Sequence, residues 1–423
     1  AKVTVFFAIV NLLLTFFLAR RLDSARTGIY AAAVLATSVF FLVYARSGLP
    51  EQAATSFFLT GILLYLQSRE SPSRMWIYMT GFSLGCAFAC NHWRTGYMPL
   101  VILGLDLLTR VRENQGGRRW LGRAFLLTLG YLTPIVPFQL LYGLLRVVIG
   151  PLPFPDYIEQ LVYKSEFDYL VWFQGVHRLG LIFWKVEGPL FVAAACLATA
   201  LLLVRYLRRH EFSDLAIPFI SVIPFVYFSS FQWQGETLPR TVSSLLPIFS
   251  IGIGAMISAI QQKIRIDLTV VGVVLILAFS FPRNLRAGVT QSGYAEASRY
   301  LRSEGEGKPM ILAWEPVWRF YLGKQQYRLH QRLDSLKAVV ERARKEDMGY
   351  LALDNTALYS KQGESLRSEI FQRGIEPAAK FRNPRGRSFE YLLDEHGIEN
   401  YSRVAKAPWT DYILIFKIKE IEN

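Results

Sequence analysis

Tyr44-Ala-Arg-Ser-Gly-Leu-Pro-Glu-Gln52 is a short charged turn set between two uncharged apolar runs, Tyr30–Tyr44 and Ala53–Leu66. Runs that apolar do not suit a surface in water. They read as helices crossing a bilayer, and the turn reads as the place where the chain meets water at one face. Packing is a poor reason for an Arg and a Glu at such a boundary. Arg46 and Glu51 are therefore candidates for the rim of a site where a lipid-borne substrate meets water.

The pattern repeats on either side. The 423 residues are 52% hydrophobic and 14% aromatic, and the mean hydropathy of +0.25 is high for a water-soluble globular chain. Apolar segments fall at Val3–Leu18, Gly28–Tyr44, Ala53–Leu66, Met75–Cys90, Tyr97–Leu108, Phe125–Leu145, Pro189–Val204, Leu215–Ser230, Val242–Ile260 and Leu268–Phe281. A hydrocarbon core roughly 30 Å thick takes about 20 helical residues, so the pattern predicts about ten spans, with Tyr97–Leu108 the weakest and re-entrant in character. The expected fold class is mainly α: a polytopic transmembrane helix bundle over residues 1–283, followed by a C-terminal extracytoplasmic α/β domain over residues 284–423.

Loop charge gives the orientation. Alternate loops hold Arg20, Arg21 and Arg26, then Arg69 and Arg74, then a cluster from Arg110 to Arg123, then Arg205, Arg208 and Arg209, then Lys263 and Arg265. The intervening loops are poorer in base, with Arg46, Arg94, Lys164, Arg178, Lys185 and Arg240. By the positive-inside rule the first set is cytoplasmic. The Arg46–Glu51 turn, the loop 150–188, the loop 231–240 and the tail then face outward. The first span must run from outside to inside and no signal peptide precedes it, so the expectation is of a fragment lacking an earlier helix.

The net charge of +14 is largely topogenic Arg beside anionic headgroups; with no basic stripe or nucleic-acid motif, no nucleic-acid partner is expected. The three cysteines, Cys86, Cys90 and Cys196, fall inside apolar segments and read as small buried residues rather than ligands or disulfides. Gly81-Phe-Ser-Leu-Gly85 is a small-xxx-small pattern that permits close helix approach. Asp106 and Arg146 lie near span ends, where a charged group is either functional or snorkelling to the interface.

The tail reads as soluble sequence. Helical periodicity is expected at Glu296–Ser303, Leu333–Asp347 and Leu366–Arg373, and strands at Met310–Trp314, Tyr350–Asp354, Phe389–Leu393 and Tyr412–Ile418. That alternation implies a partly parallel α/β layer. Trp314, Trp318, Phe320 and Tyr321 read as core or interface packing before a glycan surface. Nothing in the tail has the spacing of a phosphate loop, a metal site or a nucleophile.

Leu18-Ala-Arg-Arg-Leu-Asp-Ser-Ala-Arg-Thr-Gly28, an Ala-rich span, Tyr44-Ala-Arg-Ser-Gly-Leu-Pro-Glu51 and Leu238-Pro-Arg-Thr-Val-Ser-Ser-Leu-Leu-Pro247 together resemble the GT-C membrane glycosyltransferases of the protein-mannosyltransferase and lipid A aminoarabinose-transferase type. The layout resembles theirs over about residues 3–282, and the tail resembles the extracytoplasmic α/β domains of many bacterial members. Two departures stand out. The family's catalytic carboxylate belongs to a first outward loop that lies before Ala1. Where many members carry a Thr-Lys-Gly-like turn, this chain has Asn91-His-Trp-Arg-Thr-Gly96.

The resemblance implies transfer of a sugar from a polyprenyl-phosphate-linked donor to a glycan, lipid or protein acceptor at the outer face of a bacterial inner membrane. Such transfer needs a carboxylate within reach of the acceptor hydroxyl and cations on the departing phosphate. Glu51 matches the family's acidic position in the second outward loop, where it would act on the acceptor, hold a divalent metal ion or support another acid. Arg46, Arg94, Arg240 and His92 are candidates for binding the donor, with His177 and Glu236 behind them. Part of the aromatic-rich loop 151–188 is read as interfacial helix over a lipid-access groove.

Plainer readings exist for these residues. Pro50-Glu51 is also good helix-start chemistry, with Pro at the first position and an acid in the first turn. Arg240 also suits a headgroup anchor. A flippase or transporter of lipid-linked glycan would show internal repeats and mid-membrane charge pairs, neither of which is evident, and a non-catalytic envelope scaffold is the third reading.

Overall fold

The computed structural model describes residues 2–46, 51–71, 73–95, 97–112, 117–150, 172–229, 243–264, 267–288, 293–304, 308–312, 318, 322, 328–329, 335–354, 361–383 and 412–422. The chain forms two compact units, Ala1–Leu285 and Arg286–Asn423, and each is described by itself.

The first unit is all helix. Its elements are α1 (Lys2–Leu22), α2 (Ala25–Ala36), α3 (Val39–Arg46), α4 (Glu51–Glu70), α5 (Arg74–Thr95), α6 (Met98–Arg112), α7 (Gly117–Ile149), α8 (Trp172–Val186), α9 (Pro189–Arg209), α10 (Phe212–Ser229), α11 (Leu246–Ile264) and α12 (Thr269–Gly288). Every apolar segment picked out in the sequence is helical over most of its length. Among the described residues, four stretches are long and apolar enough to cross a bilayer: Val3–Leu22, Arg119–Ile149, Pro189–Arg209 and Ser243–Ile264. The other helices fall short for identifiable reasons. Ala25–Ala36, Phe212–Val226 and Thr269–Ser280 are apolar but shorter, and α4 and α5 carry Glu51, Gln52, Thr55, Ser56, Asn91 and His92 within their lengths.

The segment Gly28–Tyr44, expected as one span, is two helices. The chain breaks at Thr37–Ser38, where both side chains turn to the local backbone: Thr37 Oγ1 donates to Val34 O at 2.9 Å, and Ser38 Oγ accepts from Phe41 N at 3.1 Å. Hydroxyls that compete for backbone partners favour such ends over helix interiors. Helix α8 is a further element. It lies in the segment 151–188, part of which was expected as interfacial helix, and it is amphipathic, with Leu179, Ile182 and Phe183 buried while Leu181 and Trp184 are exposed.

Glycines set the closest helix contact. A Cβ on Gly81 would strike the Leu127 carbonyl oxygen, one on Gly85 the Tyr131 carbonyl oxygen, and one on Gly130 the Tyr78 carbonyl oxygen. The small-xxx-small pattern thus lets α5 and α7 meet backbone to backbone, where apolar burial alone gives little drive for association in lipid.

A polar clamp joins α2, α11 and α12. Asp267 Oδ1 accepts from Thr269 N (3.0 Å), Thr269 Oγ1 (2.7 Å) and Gln261 Nε2 (3.0 Å). Its other oxygen accepts from Arg26 Nη2 at 3.0 Å, and Gln261 Oε1 accepts from Tyr30 OH at 2.7 Å. The Thr269 hydroxyl and amide, then Arg26 and Gln261, hold the Asp267 carboxyl down at about 2.

The second unit is a five-stranded sheet of order β2-β1-β3-β5-β4, built from β1 (Lys308–Leu312), β2 (Arg328–Leu329), β3 (Met348–Leu353), β4 (Ala379–Arg382) and β5 (Tyr412–Lys417). β1 pairs parallel with β2 and β3, whereas β5 pairs antiparallel with β3 and β4. Alternation along β3 feeds two cores. Leu351 and Leu353 pack with Met310 and Phe416 against α14 (Leu336–Glu346) and α15 (Lys361–Gln372), while Tyr350 and Ala352 pack on the other face with Trp318 and α13 (Tyr294–Ser303). Burial on both faces is what a run such as Tyr-Leu-Ala-Leu signals. The short helix α16 (Ile418–Glu422) follows β5 directly. Strands β2 and β4 were not anticipated, and the expected strand Phe389–Leu393 lies outside the described residues. Trp318 is core, its Nε1 donating to the buried Asp354 Oδ2 at 3.0 Å beside Tyr294 OH, also at 3.0 Å. Trp314, Phe320 and Tyr321 lie outside the described residues.

Gly81→Leu should cost about 1–3 kcal/mol or more through overpacking, read as a lower unfolding temperature in detergent. Gly122→Ala, with open space around it, should be neutral or gain up to about 1 kcal/mol of helix propensity. Because the Asp267 pKa lies below its unfolded value, the clamp's contribution is complete above pH about 4 and is lost as pH falls toward about 2. Asp267→Asn should flatten that acid limb in a pH-resolved unfolding series.

Candidate active site at the head of helix α4

Glu51 is the first residue of α4 and, for all its charge, only 4% exposed. The helix start places its carboxylate where orphan amides and the positive dipole end favour an anion. Its own carbonyl oxygen accepts from Thr55 Oγ1 at 2.7 Å.

A buried polar knot sits beside it. Asn11 Nδ2 donates to Gln52 O at 2.9 Å and to Gln52 Oε1 at 2.7 Å. Ser56 Oγ donates to Asn11 Oδ1 at 2.7 Å, and Gln52 Nε2 donates to Phe41 O at 3.3 Å. One residue, Gln52, thereby ties α4 to both α1 and α3. Asn11 lies about 13 Å along α1 from its first residue, so the head of α4 is recessed within the bundle rather than standing at its rim. Tyr44 on α3 is buried and stacked on Phe40, ring centres 6.0 Å apart.

Arg46 closes α3, and His92 and Arg94 occupy the last turn of α5. Their side chains lie outside the described residues. Helices α4 and α5 are joined by the short connection 71–73, which brings the head of α4 and the end of α5 to one end of the bundle. Arg240 and Glu236 lie outside the described residues. His177 is exposed on α8.

Of the two charges flagged inside the spans, Asp106 belongs to a structural cluster. It accepts from Arg110 Nε (3.0 Å), Arg123 Nη2 (3.2 Å) and Tyr65 OH (3.3 Å), while Arg123 also donates to Ser68 O (3.2 Å) and Ser68 Oγ (2.9 Å). This pins α4, α6 and α7 at the end away from Glu51. Arg146 is exposed near the end of α7.

Glu187 went unnoticed in the sequence. It is 1% exposed, and its carboxylate accepts from Ser38 Oγ (2.7 Å), Val39 N (3.2 Å) and Phe40 N (2.8 Å). The available signal was a single acid in Val186-Glu-Gly-Pro189, squeezed between two apolar segments. Among the described residues no three His, Cys, Asp or Glu side chains converge on a metal position.

No protein-family profile and no curated protein matches the chain. Solved structures do. ArnT from Cupriavidus metallidurans, bound to undecaprenyl phosphate, superposes over 99% of this chain and 83% of its own, with a TM-score of 0.54 at 13% identity. The fold is that of the GT-C membrane glycosyltransferases. The oligosaccharyltransferase of Archaeoglobus fulgidus, tethered with an acceptor peptide, matches over 92% of this chain with a TM-score of 0.50 at 10% identity. The chain spans only 62% of that protein's length. At these identities the likeness is one of fold. With its apolar helices it makes the chain a polytopic integral membrane protein carrying a small C-terminal sheet.

Gln52→Leu should remove the side-chain acceptor of Asn11 Nδ2 and the donor to Phe41 O inside the bundle and cost about 1–3 kcal/mol, measured as a fall in unfolding temperature. Adding Asn11→Leu should recover part of that loss, because both partners are then apolar.

Proposed function

We propose that the protein moves a sugar from a polyprenyl-phosphate-linked donor to a glycan, lipid or protein acceptor at the outer face of a bacterial inner membrane. The observation carrying this reading is a buried carboxylate, Glu51, recessed at one end of a bundle whose fold matches the undecaprenyl-phosphate-bound ArnT over 99% of the chain. A carboxylate enclosed by apolar helices is costly unless it has work to do or partners to hold it. At this position it meets a substrate that arrives through the bilayer.

In the proposed reaction an acceptor oxygen attacks the anomeric carbon. The bond from that carbon to the phosphate oxygen breaks, and the polyprenyl phosphate leaves with the electron pair. Glu51 orients the acceptor hydroxyl and takes up its proton. Arg46, Arg94 and Arg240, with His92 beside them, bind the phosphate and offset the charge that builds on it. All four lie at the end of α3, at the end of α5 or in the segment 231–240, which the charge pattern of the sequence assigns to the outer side. The amphipathic α8, with Leu181 and Trp184 turned outward, suits a helix lying at the lipid interface over the donor's route.

The experiment is transfer from an undecaprenyl-phosphate-linked sugar by the full chain in membranes, comparing wild type with Glu51→Gln and Arg240→Ala. Each substitution should lower transfer by about 10²-fold or more, the scale of a lost acid–base group or charge partner, with unchanged membrane insertion. Wild-type rates in both variants would remove the site assignment.

A further inference from the structure

A span that only has to cross a bilayer gains nothing from a break. A continuous helix from Ala25 to Arg46 would satisfy its own amides, whereas interrupting it exposes orphan donors in a medium that offers no water. At Thr37–Ser38 the chain breaks nonetheless, after the 12 residues of α2 and before the 8 of α3. Each orphan donor at the head of α3 then finds an acceptor. Val39 N and Phe40 N donate to the two oxygens of Glu187, at 3.2 and 2.8 Å. Phe41 N donates to Ser38 Oγ at 3.1 Å, and Leu42 N to Ser38 O at 3.1 Å. The Ser38 hydroxyl itself donates to Glu187 Oε1 at 2.7 Å.

The acid that closes the break comes from far along the chain and from a stiff turn. Glu187 N donates to Phe183 O at 2.8 Å, ending α8. Gly188 has φ +89°, in the region that favours glycine. Pro189 then opens α9 at its first position. Phe183, one turn before Glu187, lies 5.1 Å from Phe40 and 6.2 Å from Phe225, ring centre to ring centre. Helix α8 is thus seated on α3 by an aromatic contact and a carboxylate cap together, while its Trp184 side faces outward. On the far side, Phe41 O accepts from Gln52 Nε2 at 3.3 Å, so one short helix connects the cap to the head of α4.

We infer that Glu187 is a positioning residue for the Glu51 site: its carboxylate closes the α2–α3 break and fixes α3, which in turn fixes the head of α4 through Gln52. The seat of the amphipathic helix α8 is thereby transmitted to Glu51. This rests on the reading of Glu51 as the site of transfer. The structural link itself does not, and the two can be tested apart.

The test uses the full chain in detergent micelles, as wild type, Glu187→Gln and Ser38→Ala, with amide hydrogen exchange followed by peptide. An amide side chain offers a single acceptor oxygen where three donors meet two, so Glu187→Gln should speed exchange of residues 39–46 and 51–56 by about tenfold. Peptides from α5 and α7 should not change. Ser38→Ala, which removes one hydroxyl, should give a smaller effect with the same distribution. Acceleration confined to residues 39–46 would make Glu187 a local cap and overturn the inference, and so would acceleration spread evenly over the bundle. In parallel, transfer from an undecaprenyl-phosphate-linked sugar should fall about fivefold or more in Glu187→Gln and further in Glu51→Gln. If exchange responds as expected but neither variant changes transfer, the positioning link stands and the transfer reading of Glu51 fails. Unchanged exchange in both Glu187→Gln and Ser38→Ala would overturn the link outright.

Discussion

Inside a bilayer a backbone amide has no water to fall back on, and the architecture of the helical unit follows from that constraint. Helices satisfy it internally. At two departures from plain helix among the described residues a side chain supplies the partner: Ser38 and Glu187 to the amides that open α3, and Gln52 to the Phe41 carbonyl near its end. The same departures collect the polar groups available for chemistry. Glu51 stands where a helix begins because a helix must begin there for the bundle to have a polar recess at all.

Helix association answers a second requirement. Between apolar helices in lipid the hydrophobic drive is weak, so close packing and polar contacts have to supply the specificity. The α5–α7 contact uses the first device through Gly81, Gly85 and Gly130. The Asp106–Arg123–Ser68–Tyr65 cluster uses the second, at the opposite end of α4 from Glu51. One end of the unit is thereby locked by ion pairs, while the other carries the Asn11–Gln52–Ser56 knot of amides and a hydroxyl.

Much of this was legible in the amino-acid order. Apolar periodicity located the helical segments, the glycine spacing anticipated a close helix contact, and the α/β alternation in the tail gave β1, β3 and β5 with their flanking helices. The span count was less readable, because a local window cannot tell a lipid-facing helix from one such as α4, whose polar residues are hidden by neighbours. The break at Thr37–Ser38 was invisible for a related reason: its stabilising acid lies in another part of the chain, and no window contains both. β2 and β4 are too short to leave a pattern of their own. At the candidate site, Glu51 was read correctly as an unusual acid at a helix start. That it is recessed, and tied to α1 through Gln52, needed three dimensions.

The strand order of the C-terminal unit has a bearing on how that unit comes into being. β5 lies inside the sheet, hydrogen-bonded on one side to β3 and on the other to β4, yet it is the last strand among the described residues. The earlier strands therefore wait with an open edge, and β4 has no place in the sheet until β5 arrives. Both hydrophobic layers wait as well, since Leu414 and Phe416 complete one and Ile413 and Ile415 the other. Pairings so distant in sequence fold slowly. Among the described residues neither hydrophobic layer is complete without β5, so the strands before it cannot close this sheet on their own.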